Sequence, residues 1–187
     1  TYHARCGLDT LLVDRRLQYG GGLSTQEVTQ PGFYHNLHSI NHFHITETPW
    51  FKDLGLADRV TYITPRYELG QPHLDGSVLV FGRDLEETLG NVARFSKKDA
   101  QTFRDWNRRA EEITDRIFLP ERYSEPLPQA ERDALLEKSA IGRDFLAVCR
   151  RQPFDVVKEL FENEHVQLLF LFKVSLFGTW LVDTLSK

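Results

Sequence analysis

Leu11-Leu12-Val13-Asp14-Arg15-Arg16, followed at once by Tyr19-Gly20-Gly21-Gly22, is the stretch on which the fold turns. Three consecutive apolar residues suit a parallel strand buried on both faces, so residues 8–14 read as a strand with Asp14 at its end. Upstream, Thr1-Tyr2-His3-Ala4-Arg5 reads as the last turn of a helix, with Gly7 where a helix end commonly needs a left-handed residue. Helix, turn, buried strand and terminal acid form the second half of a dinucleotide-binding βαβ unit. In such a unit a Gly-rich turn after the first strand lets the backbone approach the pyrophosphate. The acid ending the second strand holds the adenosine ribose hydroxyls. That first strand and its G-x-G-x-x-G turn would precede Thr1, so the chain reads as an incomplete piece, inactive on its own.

Outward from this stretch, Thr29-Gln30-Pro31-Gly32 signals a turn, and residues 34–44, rich in His, Asn and aromatics, read as a loop or short strand. A short helix is expected over 50–56. Residues 67–72 and 77–81 read as a hairpin turned by Asp75-Gly76. From Asp84 onward the pattern is helical. Ser96 is positioned as an N-cap with Asp99 near the positive helix end. Phe103, Trp106, Ala110, Ile113 and Ile117 form one apolar face, and Pro120 is expected to stop that helix. A second helix is expected from near Pro128 through Cys149, a third from Pro153, and a fourth from Val166 to the end. The boundary falls near 82–84. Residues 1–82 form the cofactor part with the start of a sheet, and 83–187 form the helical part.

Composition is ordinary and globular: 187 residues, 41% hydrophobic, 27% charged, net charge −4. No basic tract points to nucleic acid. Two distant cysteines, Cys6 and Cys149, read as reduced, buried thiols of an intracellular protein. There is no methionine and no signal peptide at Thr1, so the chain is expected to begin after processing, cleavage or further sequence.

The residues also carry a resemblance. Residues 4–16 and then Tyr19-Gly20-Gly21-Gly22-Leu23-Ser24-Thr25 resemble the N-terminal part of the phytoene dehydrogenase-like flavoproteins, of the carotenoid desaturase type within the amine oxidase superfamily. Pro31-Gly32-Phe33, Asp53-Leu54-Gly55-Leu56, Leu74-Asp75-Gly76, Arg83-Asp84 and Arg94-Phe95-Ser96-Lys97-Lys98-Asp99-Ala100 are similar to further family elements in the same order. The resemblance implies an α/β fold: a partial FAD-binding, Rossmann-like domain of the glutathione reductase type, plus a mostly helical α+β substrate domain. It implies an oxidoreductase that moves hydride or electrons from an organic substrate to flavin. Desaturation of a C–C bond is the first expectation and amine oxidation the second. The rival reading is a catalytically inactive, flavin-free interaction or assembly module derived from such an enzyme.

Site residues follow position by position from the resemblance. Asp14 is expected to hold the adenosine ribose, and Arg15 to flank the adenine or the pyrophosphate. Gly21 and Gly22 would let backbone approach FAD, because a side chain would block it. Ser24 or Thr25 would hydrogen-bond cofactor or backbone. The related amine-oxidase motif commonly has Arg where this chain has Gly22, so no direct charge contact to the pyrophosphate is implied there. Arg15 and Arg16 could favour the 2′-phosphate of NADP, but Asp14 would repel it, and the glycine loop points to FAD rather than NAD.

His35, His38, His42 and His44 are spaced by three, four and two, which matches no common zinc pattern. No metal is expected. His38 and Ser39 are the weaker candidates for polar groups facing substrate beside the flavin, with no proton-transfer role assigned. Asp14, Glu47 and Asp53 form no acid/base pair, and Ser24 and Ser39 lack a nucleophile elbow, so hydrolase chemistry is unsupported.

Residues 166–182 are apolar apart from polar positions including Lys173, short of the ~20 apolar residues a spanning helix needs. They read as a buried helix of the substrate domain or as an interfacial helix admitting a lipid-like substrate. The expected partners are a hydrophobic or amine-type small molecule, a membrane surface touched peripherally, and a partner chain or second copy completing the fold. The expected location is cytoplasmic.

Overall fold

The computed structural model describes residues 1–40, 42 and 45–176, and divides into two compact units, Thr1–Ile63 and Thr64–Lys187. The first unit holds short elements: α1 (Tyr2–Arg5), an antiparallel pair β1 (Thr25–Glu27) and β2 (Tyr34–Asn36), and α2 (Pro49–Asp53). Single 3-10 turns at Gly21–Leu23, Ile45–Glu47 and Leu56–Asp58 link them. Gly7 takes φ +79°, as a residue just past a helix end should. Tyr2 Oη donates to Asp53 Oδ2 at 2.8 Å and the Arg5 guanidinium donates to the Asp53 carbonyl, so α1 is tied to the end of α2.

One expectation fails in this unit. Residues 8–14 are not a strand. Leu11, Leu12 and Val13 are 80–89% exposed, and no strand pairs with them among the described residues. An apolar run specifies a buried strand only when neighbouring strands satisfy its backbone and cover its side chains. The described residues of the first unit supply neither.

The second unit opens with the hairpin β3 (Tyr67–Pro72) and β4 (Val78–Gly82), turned as expected at Asp75-Gly76. Gly76 has φ +82°, and Asp75 Oδ1 accepts from Ser77 N and Oγ at 2.9 and 2.7 Å. Those bonds, with smaller help from His165 and His73, hold the Asp75 carboxyl below its ordinary value. Seven helices follow among the described residues: α3 (Leu85–Ala93), α4 (Lys97–Ile113), α5 (Leu119–Arg122), α6 (Gln129–Leu136), α7 (Ala140–Cys149), α8 (Pro153–Leu160) and α9 (Glu164–Leu176). Asp84 and Ser96 cap α3 and α4, accepting from Glu87 N at 2.8 Å and Asp99 N at 3.0 Å.

The helical reading is corrected at two places. Pro120 does not stop the long helix. A wide π turn at Thr114–Phe118 resets the backbone bonding, and α5 carries Pro120 in its first turn, where a missing N–H costs nothing. The helix expected from Pro128 to Cys149 is two helices. Ser139 Oγ accepts from Gly142 N at 3.0 Å and starts α7 afresh. At Gly142 a Cβ would sit 2.0 Å from the Leu136 carbonyl oxygen, so only glycine fits where α7 leaves the end of α6.

The larger core joins Leu79 and Phe81 of β4 to Leu89 and Val92 of α3 and to Val166 and Leu169 of α9. Phe81, Phe103, Phe161 and Phe170 contact one another ring to ring within it. A smaller core gathers Ile113, Ile117, Leu136, Phe145 and Leu146. Asp99 is fully buried, and its two carboxylate oxygens accept from Glu162 N and Asn163 N, both at 2.9 Å. It ties the start of α4 to the α8–α9 turn. The cysteines are free but exposed rather than buried, because each sits at the end of a short helix. No helix among the described residues is long and apolar enough to cross a membrane. The expected apolar helix is present as α9, and its continuation past residue 176 lies outside the described residues.

Candidate cofactor-binding site

The glycine loop is built around left-handed backbone. Gly20 has φ +114° and Gly21 φ +56°, and Leu23 N donates to the Gly20 carbonyl at 2.9 Å to close the turn. The chain then enters β1, returns through Pro31-Gly32 with Gly32 at φ +88°, and runs back as β2 in the register Thr25↔Asn36, Gln26↔His35, Glu27↔Tyr34. Pairing continues beyond the strands. Leu37 N donates to the Ser24 carbonyl at 3.2 Å, and Ser39 N donates to the Gly22 carbonyl at 2.9 Å. The hairpin thus brings Gly22, Ser24 and Thr25 together with the His38–Ser39 segment, two groups of candidates that lie 13 or more positions apart in the chain.

Within this cluster the side chains differ in what they leave free. Thr25 Oγ1 donates to Asn36 Oδ1 at 2.7 Å. Ser24 is 9% exposed, and its Oγ is buried without a hydrogen-bond partner. A buried hydroxyl left unpaired costs about 1–3 kcal/mol, so Ser24 rather than Thr25 has a hydrogen bond to give. Gly21 is explained by its positive φ. Gly22 has no positive φ, and a Cβ on it would meet nothing within 4 Å. Neither backbone nor packing within the chain requires glycine there. Clearance for a group approaching the loop would require it, and the open loop with its unpaired Ser24 hydroxyl fits a flat, hydrogen-bonding cofactor such as FAD.

Asp14 and Arg15 lie elsewhere, in the exposed segment before the loop. Asp14 Oδ1 accepts from Arg16 N at 2.9 Å, and among the described residues no hydrogen bond or ion pair joins Asp14 or Arg15 to the glycine hairpin. The histidines are scattered. His35 Nε2 meets Thr29 Oγ1 at 2.8 Å, His42 Nδ1 meets Tyr62 Oη at 3.3 Å, His38 is exposed, and His44 lies outside the described residues. Among the described residues no three His, Cys, Asp or Glu side chains converge as a metal site.

The second unit holds polar groups that the sequence reading passed over. His73 and His165, 92 positions apart, have ring centroids 3.7 Å apart. Gln71 and His73 carry buried, unpaired nitrogen and oxygen atoms. The available signal was Leu69, Gln71 and His73 at alternate positions along and just past a strand, two polar residues on the face that carries Leu69. Thr64, Arg66, Arg83, Asp84 and Glu87 line a second, charge-balanced groove, in which Arg66 is bidentate to Glu87.

No known protein family's profile matches this chain, and no solved structure matches it. Along all of its length the chain is 30% identical to part of a limonene dehydrogenase subunit from Castellaniella defragrans, over 188 aligned positions. The alignment covers 34% of that protein, so the chain spans about a third of the length of the curated relative it matches. The chain is therefore similar, from end to end, to a portion of an oxidoreductase subunit.

Proposed function

We propose that this chain is part of an FAD-dependent oxidoreductase of the phytoene dehydrogenase-like kind, in which residues 1–82 serve the cofactor domain and the start of the substrate-domain sheet, and residues 83–187 the helical substrate domain. The observation that carries the reading is the similarity to a dehydrogenase subunit along the whole chain. The hairpin that gathers Gly22, Ser24 and Ser39 supports it. FAD, when bound, supplies the two-electron acceptor. The chain's own residues bind and orient. Gly21 and Gly22 leave the loop open to the cofactor, and the Ser24 hydroxyl donates to it. Asp14 accepts from the adenosine ribose, with Arg15 beside it. His38 and Ser39 form a polar edge toward substrate. The substrate is a hydrophobic or amine-type small molecule, with removal of hydride from a C–H bond the preferred chemistry.

The relative is named as a subunit, which supports a partner chain for this one. A second reading, a flavin-free assembly module, is favoured by the exposed run Leu11-Leu12-Val13, which suits burial against another chain. Flavin absorbance of the whole purified protein separates the two. Stoichiometric FAD is expected. Gly22→Leu should lower its occupancy by more than about tenfold, and Ser24→Ala by about three- to tenfold, the scale of one hydrogen bond. A whole protein that neither carries nor takes up FAD leaves the assembly reading in place.

A further inference from the structure

Alternate residues of a strand share a face, so Leu69 and Gln71 of β3 line up with His73 just beyond it. Together with His165, Leu168 and Phe172 they line an open cleft of about 850 Å³ wholly within the second unit. That size falls in the range of about 300–1,000 Å³ typical of small-molecule sites. The walls are mostly hydrocarbon. At one end the His73 and His165 rings lie 3.7 Å apart, with Phe95 edge-on to both at 5.6 Å.

The polar atoms of this cleft are the unusual part. Both the Oε1 and Nε2 of Gln71 and the Nε2 of His73 are shielded from water and have no hydrogen-bond partner. Each such group costs about 1–3 kcal/mol. Three of these atoms on two neighbouring side chains at the wall of one apolar cleft is an arrangement that a ligand completes and a packing core does not. Their chemistry limits the ligand. Gln71 offers one acceptor and a donor group, and a neutral imidazole nitrogen offers either role according to tautomer. Asp75 at the same end opposes an anion.

We propose that this cleft binds a small apolar molecule bearing one hydroxyl or carbonyl, its hydrocarbon against Leu69, Leu168 and Phe172 and its polar group against Gln71 and His73. Because these atoms are shielded from water, binding turns both the Gln71 amide and the His73 ring toward the cleft that the two residues line. Every residue lining the cleft belongs to the second unit, so the inference is tested apart from the flavin reading.

The test is a titration of the whole protein, isotope-labelled at histidine, with 1-hexanol and with n-hexane, followed by NMR. The His73 and His165 resonances should shift saturably with hexanol, at an affinity about tenfold or more above that for hexane, the scale of one well-made hydrogen bond. Gln71→Leu should raise the thermal midpoint of the free protein and remove the preference for the alcohol. Leu168→Trp, at the exposed rim, should fill the mouth and abolish the shifts. The proposal is overturned if no saturable shift appears up to the solubility of hexanol. It is equally overturned if binding and preference survive both substitutions, or if Gln71→Leu lowers the midpoint while hexanol still binds.

Discussion

The two units of this chain use their apolar residues in opposite ways. Residues 64–176 bury them, with Leu79, Val92, Val166 and Leu169 almost wholly enclosed. Residues 1–63 display them, with Leu11, Leu12, Val13 and Leu17 all at least 80% exposed. Both units contain glycine turns and a β-hairpin, so local turn chemistry does not separate them. The difference is helices of eight or more residues, each with a face to bury. Among its described residues the first unit has none, and its order rests on backbone pairing, a few polar contacts such as Tyr2 with Asp53, and the buried Phe51 ring edge-on to Tyr62. Elements can thus form from local signals while a core requires partners across the chain.

The strongest way to break the comparison is to remove the buried polar tie of the second unit. Asp99→Ala leaves two backbone N–H groups, of Glu162 and Asn163, without their acceptor. Bonds to a charged acceptor contribute about 1.5–3 kcal/mol each, so a loss of about 3 kcal/mol is expected in denaturant unfolding. Hydrogen exchange should quicken across α4 and α9, while the Ser39 amide of the first unit keeps its protection. Equal loss of protection in both units would mean that they unfold as one. Gly142→Ala comes next. Its Cβ meets a backbone carbonyl that no side-chain rotation can clear, and about 2 kcal/mol is expected, within the usual range for overpacking. That loss should be confined to the smaller core around Phe145.

Lys173 gives a pH-dependent version of the same contrast. Its ammonium stands 4.6 Å over the Phe81 ring, and desolvation lowers its pKa, partly opposed by Glu68. A lysine with a depressed folded pKa binds fewer protons folded than unfolded between its two pKa values, so stability rises with pH through that window. Unfolding midpoints should therefore climb as pH approaches the ordinary lysine value of about 10.4 from below. Lys173→Met should flatten that climb and raise the midpoint at neutral pH. A climb unchanged in the variant would assign it to another group.

What was legible in the sequence follows the same division. The β3–β4 hairpin was readable because Asp75-Gly76 specifies its own turn, and the start of α4 because Ser96 and Asp99 specify its cap. The break between α6 and α7 was not, since the apolar spacing continues across Ser139, and the Ser139 cap and the crowding at Gly142 emerge only in the fold. Pro120 misled because a π turn ending two residues before it changes what a proline costs there. At the candidate cofactor site, the glycine loop and the His38–Ser39 segment were each visible. Their joining was not, because register depends on backbone pairing between residues 22 and 39. The partnership of His73 with His165 left no local trace at all.

The smallest expected effect is the one that sharpens the comparison most. Leu12 is 89% exposed, so Leu12→Ser removes almost no burial. A change of at most about 0.5 kcal/mol is expected for the chain by itself, as for surface substitutions generally. In the whole enzyme, the proposed cofactor domain would cover this segment, which leads to the proposed ribose contact at Asp14. There the same substitution would place an unpaired hydroxyl where a leucine side chain was buried, and fully burying a leucine contributes about 1.5–3 kcal/mol. Measuring both proteins side by side therefore reads the environment of Leu12 directly. A large loss in the whole protein with almost none in the chain would locate the missing partner of this segment outside these 187 residues. Near-zero loss in both would leave Leu11, Leu12 and Val13 as a truly exposed run, and the ribose-binding role of Asp14 would lose its structural basis.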